Sequence, residues 1–225
     1  MKFTDARVRP ALKSDCATIA YQAYLAGRGH LEVSASDLMI HGEPGATPQR
    51  LDVLESLLLT DAVSWFHYSN CLVIEEAGEV AGSMCMFNRS WINASIEQAL
   101  MELGWSAADL RAMKRRMAPY RGVQFAKSSD AMQFETVCVS PGQRRKGLGE
   151  ALMKAAAESA GAMGYREALL TVYIGNTEAE SMYRKLGYEV TGEKRHRQFT
   201  HLTGCPGIRL MRLDLTAPGR ETAGA

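Results

Sequence analysis

Apolar and polar positions along this chain follow two periods, and each change of period marks a new element. Alternation by two and short apolar runs signal strands; spacings of three and four signal helices. Residues 6–9 read as a short first strand ended by Pro10. Asp15 is placed to cap a helix reaching about Leu25, with Ala17, Ala20, Tyr21 and Tyr24 at helical spacing. Residues 27–48 are rich in Gly, Pro, Ser and His and predict mostly loop. Residues 49–66 are apolar at 51, 54, 57, 58 and 62, which predicts an amphipathic helix. A hairpin follows: a strand over 71–76, a turn at Ala77, Gly78 and Glu79, and a return strand over 80–87. Residues 88–130 break this rhythm. They predict helices over 96–103 and 107–117, the second ended by Pro119 and Gly122, and read as a helical insertion.

The second half is more regular. A strand over 133–139 runs into a glycine-bearing turn and then a helix. On that helix Leu148, Ala151, Leu152, Ala155, Ala156 and Met163 form an apolar stripe, and Gly161 and Gly164 mark its end. A strand over 168–174 follows. Asn176 then caps a helix with Ala179, Met182, Tyr183 and Leu186 on one face, stopped by Gly187. Another strand begins at Tyr188. In a last strand over 208–215, Ile208, Leu210, Arg212 and Asp214 alternate with Arg209, Met211, Leu213 and Leu215. Residues 217–225 predict a disordered tail. The chain thus reads as one α/β domain over 1–216, with 88–130 inserted in it.

Bulk properties narrow the function only by exclusion. A length of 225 residues fits one large domain, and 46% hydrophobic residues supply an ample core. A net charge of +1 gives no argument for nucleic acid or an anionic membrane as partner. Cys16, Cys71, Cys85, Cys138 and Cys205 are scattered, odd in number and without a CxxC pair. That pattern predicts reduced thiols in a cytoplasmic protein, with neither a disulfide frame nor a zinc site. The N-terminus lacks the apolar run of a signal peptide, and no segment reaches the ~18 continuous apolar residues of a membrane span. His30, His41, His67 and His201 show no ligand spacing, so no metal is expected. A homodimer is left open.

The chemistry concentrates in the turn after the 133–139 strand, where Arg144, Arg145 and Lys146 precede Gly147, Leu148, Gly149 and Glu150. Amides at a helix N-terminus attract anions, and glycines admit a ligand close to the backbone. Three glycine patterns compete. A P-loop requires a lysine and a hydroxyl after its last glycine, where this chain has Leu148 and Gly149. A dinucleotide fingerprint requires a third glycine, where this chain has Leu152. The third pattern, Arg144-x-x-Gly147-x-Gly149 directly after a strand, resembles the acyl-CoA-binding motif of the GCN5-related N-acetyltransferases. A second segment of that family is matched by Asn176, Ala179, Tyr183, Lys185, Gly187 and Tyr188 in the family's spacing. The resemblance is close over 130–215 and loose over 6–90.

That resemblance implies a mixed, largely antiparallel sheet of six to seven strands flanked by helices, the acyl-CoA N-acyltransferase fold. It implies acetyl-CoA as co-substrate, its pyrophosphate on the backbone of Arg144, Arg145, Lys146, Gly147, Leu148, Gly149 and Glu150. Its pantetheine arm would pair with backbone around Val137, Cys138 and Val139, between two strands that splay apart. Asn176 would bind the pantetheine or an ordered water. Tyr183 is the family-matched general acid for the departing thiolate. Glu135, expected to share a strand face with Val137 and Val139, is the leading candidate for general base, and His196 a second. The implied reaction is acetyl transfer to a primary amine in a ternary complex, with a small molecule slightly favoured over a peptide as acceptor. A longer-chain N-acyltransferase and a non-catalytic acyl-CoA sensor are the alternatives. Gly142 and Gln143 depart from common family residues without touching the anion contacts. The 88–130 segment, usually short in the family, is expected to cover the sheet or wall the acceptor site. It mixes Glu97, Glu102 and Asp109 with Lys114, Arg115, Arg116 and Arg121, and carries Trp91 and Trp105.

Overall fold

The computed structural model describes residues 6–126 and 128–216, so the tail expected over 217–225 lies outside the described residues. In chain order the elements are β1 (Arg7–Pro10), α1 (Cys16–Arg28), α2 (Ala35–Met39), α3 (Pro48–Leu58), β2 (Cys71–Glu76) and β3 (Glu79–Phe87). Then come α4 (Ile96–Glu102), α5 (Ala107–Arg116), α6 (Ala118–Arg121), β4 (Met132–Val139), α7 (Leu148–Ala162), β5 (Glu167–Tyr173), α8 (Thr177–Lys185), β6 (Glu189–Arg195), α9 (Arg197–Thr203) and β7 (Gly207–Asp214). The seven strands form one sheet in the order β1-β2-β3-β4-β5-β7-β6. Among the described residues β4 and β5 pair in parallel and the other neighbours pair antiparallel.

Among the described residues the two larger of three apolar clusters cover the two faces of the sheet. One face carries Leu148, Leu152, Met153 and Ala156 of α7 against Met84, Met132 and Met211. The other carries Ile19, Ala20 and Tyr24 of α1 with Leu57 of α3 and Leu100 of α4 against Val73, Cys85 and Phe87. The expected stripe on α1 is therefore rotated: Ala20 and Tyr24 are buried, whereas Ala17 and Tyr21 face solvent. Asp15 precedes α1 without capping it. Its carboxylate accepts from Arg9 at 2.7 Å and from the Leu12 amide at 2.7 Å instead. Burial works against that carboxylate's charge, but the Arg9 and Leu12 bonds outweigh it and hold its pKa below the usual range. On α7 the stripe holds at Leu148, Leu152 and Ala156, with Met163 exposed beyond the helix end.

The 27–48 stretch is not all loop. Ser34 opens α2 with a reciprocal cap, its hydroxyl accepting from the Asp37 amide and the Asp37 carboxylate accepting from the Ser34 amide. Pro119 lies inside α6 and begins a further helical turn where the pattern had predicted a stop. The 88–130 segment is held by its charges. Arg116 donates to the carbonyls of Leu38 and Met39, Glu102 accepts from the amides of Asp61 and Ala62, and Asp109 closes a reciprocal cap with Ser106.

The pairing of β3 with β4 slips by one residue. Ser83 faces Cys138 and Cys85 faces Glu135, so Thr136 and Val137 together oppose Met84. Thr136 sits at φ 53°, a left-handed conformation that a threonine adopts only under constraint. Gly82 fits beside this bulge because it has no side chain: a Cβ there would lie 2.7 Å from the Cys138 carbonyl oxygen. Gly82→Ala is expected to cost about 1–3 kcal/mol, since backbone and not a flexible tip must yield. A urea titration should show a lower midpoint with an unchanged slope.

Candidate active site

β4 and β5 part company halfway along. Their parallel ladder pairs Met132, Gln133 and Phe134 with Ala168, Leu169 and Leu170, and stops there, although β4 continues to Val139 and β5 to Tyr173. A cavity of about 860 Å³ opens between the separated halves, and both strands line it. From Glu135 onward β4 thus turns a strand edge without a β5 partner toward the gap, able to bond an extended ligand.

The bulge decides which side chains meet there. Without it Glu135, Val137 and Val139 would share a face. With it Val137 and Val139 join Met132 and Phe134 in the layer against α7, and the expected common face is not observed. Glu135 aligns with Cys85, a member of the α1-side core, and enters the cavity from that side. Thr136 Oγ1 donates to Cys85 Sγ at 3.3 Å, which fixes the bulge.

Tyr183 enters from the other side. Asn176 Oδ1 accepts from the Ala179 amide at 3.3 Å and starts α8, whose second turn points the Tyr183 ring inward, where it is 7% exposed. Asn176 and Tyr183 both line the cavity. Burial foremost, then the Glu135 carboxylate and the Cys138 thiol, push the Tyr183 phenol well above its usual pKa. Burial likewise pushes the Cys138 thiol up to about 11, against the pull of Arg144. Two further phenols, unmarked by any sequence pattern, belong to the same group. Tyr173 donates to the Gly27 carbonyl at 2.9 Å and lies 3.5 Å from the Tyr120 hydroxyl. Desolvation raises both, and the Glu135 charge adds to each. Neither carried a signal of its own: Tyr173 sits in a mostly apolar strand that also holds Thr171, and Tyr120 follows Pro119 in a polar stretch.

The glycine-bearing turn lies at the outer end of β4. Arg144 Nε donates to the Val139 carbonyl at 3.2 Å and the side chain lines the cavity. Arg145 at φ 63° and Gly147 at φ 78° bend the backbone into α7, with Gly147 at the N-cap. Successive left-handed turns of this kind make a concavity of amides beside a helix start, a shape that takes up an anion. The cations of the turn divide. Lys146 is tied to Glu76 at 2.7 Å, and Arg145 makes no side-chain bond among the described residues; Glu150 is tied to Lys185 of α8 at 2.7 Å. Leu148 is 1% exposed, so only its backbone faces the turn. Gly149 is packed against α8, where a Cβ would lie 3.2 Å from Met182 Sδ. His196 does not line the cavity. It caps α9, accepting from the Phe199 amide, with its ring against Gly122.

The Acetyltransferase (GNAT) family model matches residues 46–188, and the chain belongs to that family. Solved structures share the fold at low identity. An N-acetyltransferase from Staphylococcus aureus Mu50 superposes with a TM-score of 0.63 at 19% identity, covering 92% of this chain and 100% of its own. YncA from Salmonella typhimurium, solved with its cofactor acetyl-CoA, gives 0.51 at 20%, covering 98% and 100%. The polyamine N-acetyltransferase of Drosophila melanogaster gives 0.52 at 13%, covering 93% and 100%. None of the curated proteins compared with this chain matches it by sequence. Among the described residues no group of His, Cys, Asp and Glu is arranged to hold a metal ion, and no helix is long and apolar enough to cross a membrane.

Proposed function

We propose that this protein moves an acetyl group from acetyl-CoA to a primary amine by direct attack, both substrates being held at once in the β4–β5 opening. The observation that carries this reading is the end of the β4–β5 ladder at Phe134 and Leu170, with Tyr183 and Glu135 reaching the gap from opposite faces of the sheet. The residues fit the cofactor. The amides of residues 144–150 are shaped for the pyrophosphate, Arg145 adds a cation beside them, and the edge of β4 from Val137 to Val139 offers the bonding groups that a pantetheine amide requires. Acetyl-CoA, when bound, supplies the activated acetyl thioester.

The chain's own groups do the rest. Glu135 holds the incoming ammonium and takes its proton, directly or through a water. An amide at the β4 bulge, re-aimed into the gap, stabilises charge on the acetyl oxygen. Tyr183 gives its proton to the leaving sulfur. A phenol raised by burial would be a poor donor to an exposed thiolate, but a thiolate in the same cleft is raised by the same burial, as Cys138 is. The shared burial shifts both proton affinities in the same direction. A concave cavity of about 860 Å³ supports a small-molecule acceptor over a protein. Five buried free thiols support a reducing, cytoplasmic setting.

The test is thiol release from acetyl-CoA across a panel of primary amines. Turnover of at least one amine is expected; tight CoA binding with no turnover of any would replace this reading with a non-catalytic acyl-CoA sensor. Glu135→Gln should lower kcat/KM about 100-fold at pH 7. The loss should shrink as pH rises toward the amine's own pKa of ~10, where the acceptor no longer needs a base. A pH-independent loss would remove Glu135 from the base role.

A further inference from the structure

Two phenols meet on the wall of the cavity. Tyr173 ends β5, beyond the last rung that β5 shares with β4, and Tyr120 belongs to α6. Both line the cavity with Glu135. Phe199, fully buried, packs on both rings, with centroids 5.9 Å from Tyr120 and 6.4 Å from Tyr173. That packing holds the two hydroxyls in place. A phenol has one proton to give. The proton of Tyr173 goes to the Gly27 carbonyl at 2.9 Å. The Tyr120 oxygen stands 3.5 Å from that of Tyr173. A hydroxyl bond spans roughly 2.5–3.0 Å, so this contact is too long to satisfy the Tyr120 proton. The Tyr120 oxygen is better served: burial raises its pKa, and a bond from the Gln124 side chain works against that rise. The donor side of this hydroxyl is thus the side without a close protein partner. The charged groups of the same wall are wetter. Lys114 and Arg121 are exposed, and Glu97, 3.5 Å from Lys114, is half-buried, so water screens them.

We infer that Tyr120 is a specificity-determining residue whose hydroxyl donates to an oxygen of the acceptor. The acceptor is then an amine that carries a hydroxyl or carbonyl group, not a plain alkylamine or a polyamine. The inference rests on the acetyl-transfer reading above, with the amine nitrogen at Glu135. That carboxylate is close enough for its charge to act on both phenols, so one small molecule can reach it with its nitrogen and Tyr120 with its oxygen. An alkyl or ammonium end has no lone pair with which to accept from the phenol. Leaving a buried donor unmatched costs binding, and a site built to bond an oxygen turns away the analogue that lacks it.

The experiment measures kcat/KM with acetyl-CoA for matched amines: 2-aminoethanol against propylamine, 4-amino-1-butanol against pentylamine, and β-alaninamide against isopentylamine, with spermidine beside them. In at least one pair the oxygen-bearing amine is expected to be the better substrate by roughly tenfold or more. Tyr120→Phe keeps the ring against Phe199. It should remove about that factor from the oxygen-bearing member, with a smaller effect on its alkyl partner and none on calorimetric binding of acetyl-CoA. Taking each ratio in wild type against variant cancels the amines' own basicities. The wild-type ratios decide even should the variant fail to fold. Alkylamines used as well as their partners in every pair, or spermidine used better than all of them, overturn the inference. So does a Tyr120→Phe loss that falls equally on both members of a pair, as a merely structural role would give. Should CoA bind and no amine be acetylated, the transfer reading fails separately. Calorimetric titration of the same pairs into the CoA-loaded protein then decides. Tighter binding of an oxygen-bearing member, lost in Tyr120→Phe, upholds the hydroxyl site, and equal or absent binding overturns it.

Discussion

Tyr183→Phe is expected to lower kcat about 100-fold and leave the KM for acetyl-CoA nearly unchanged. The loss sits at the lower end of what a positioned acid contributes, because a thiolate leaves tolerably without a proton. An unchanged KM is expected because the ring, which fills the space between α8 and β4, is retained, and only the hydroxyl is lost. The pH dependence carries the sharper signature. Burial raises the phenol's folded-state pKa, so the proton stays on Tyr183 through neutral pH and well past ~10, the ordinary tyrosine value. The wild-type kcat should therefore show no descending limb below pH 10. A descending limb near pH 9 that vanishes in the phenylalanine variant would mean that the phenol titrates earlier than its surroundings allow. A kcat within threefold of wild type would show that water, not Tyr183, protonates the sulfur.

Arg50→Ala is expected to destabilise the fold by about 3–5 kcal/mol, a drop of roughly 10 °C in Tm. Arg50 is 1% exposed. Its guanidinium lies 3.3 Å from the Asp37 carboxylate and donates to the carbonyls of Ser36, Ile40, Glu43 and Gly45. Truncation would remove the buried carboxylate's counter-charge and leave the carbonyls of Ile40, Glu43 and Gly45 without the guanidinium, while that of Ser36 keeps the Ile40 amide. Because Asp37 also accepts from the amides of Ser34 and Gly45, the damage would spread through α2. Ser36 and Met39 line the cavity, so amine KM should rise along with the loss of stability. Thermal unfolding of Arg50→Ala, Asp37→Asn and the double variant measures the coupling, and the double variant should cost less than the sum of the singles. Additive losses would show that each group is held by other partners.

The two motifs near the β4–β5 opening were legible in sequence because they rest on local rules. A left-handed turn requires glycine at Gly147, and a helix start wants an asparagine at Asn176. The β2–β3 hairpin was legible for the same reason, its turn at Ala77 and Gly78 having positive φ at both residues. What the sequence hid depends on distant partners. The bulge at Thr136 is set by the register against β3, and two-residue parity along β4 could not foresee that Val137 would leave Glu135's face. Arg50 reads as a surface cation in any periodicity; only the loop wrapped around it makes it an interior residue. Asp15 looked like a cap because Asp suits that position, yet Arg9 on β1 claims its carboxylate. The stripe on α1 was misplaced by apolar residues that proved to be exposed. Small and amphipathic side chains such as Ala17 and Tyr21 tolerate water and so mark a buried face poorly.

The bulge also gives this strand something like a reading frame. Up to Glu135 the odd-numbered side chains of β4 look toward α1; after Thr136 they look toward α7. Exchange of one residue for another at 132–135 or 137–139 leaves the residue count of the strand, and so that frame, unchanged. Loss or gain of a single residue at the bulge would exchange the two faces for the rest of the strand. Within this segment the number of residues, more than their identity, decides which face each side chain takes.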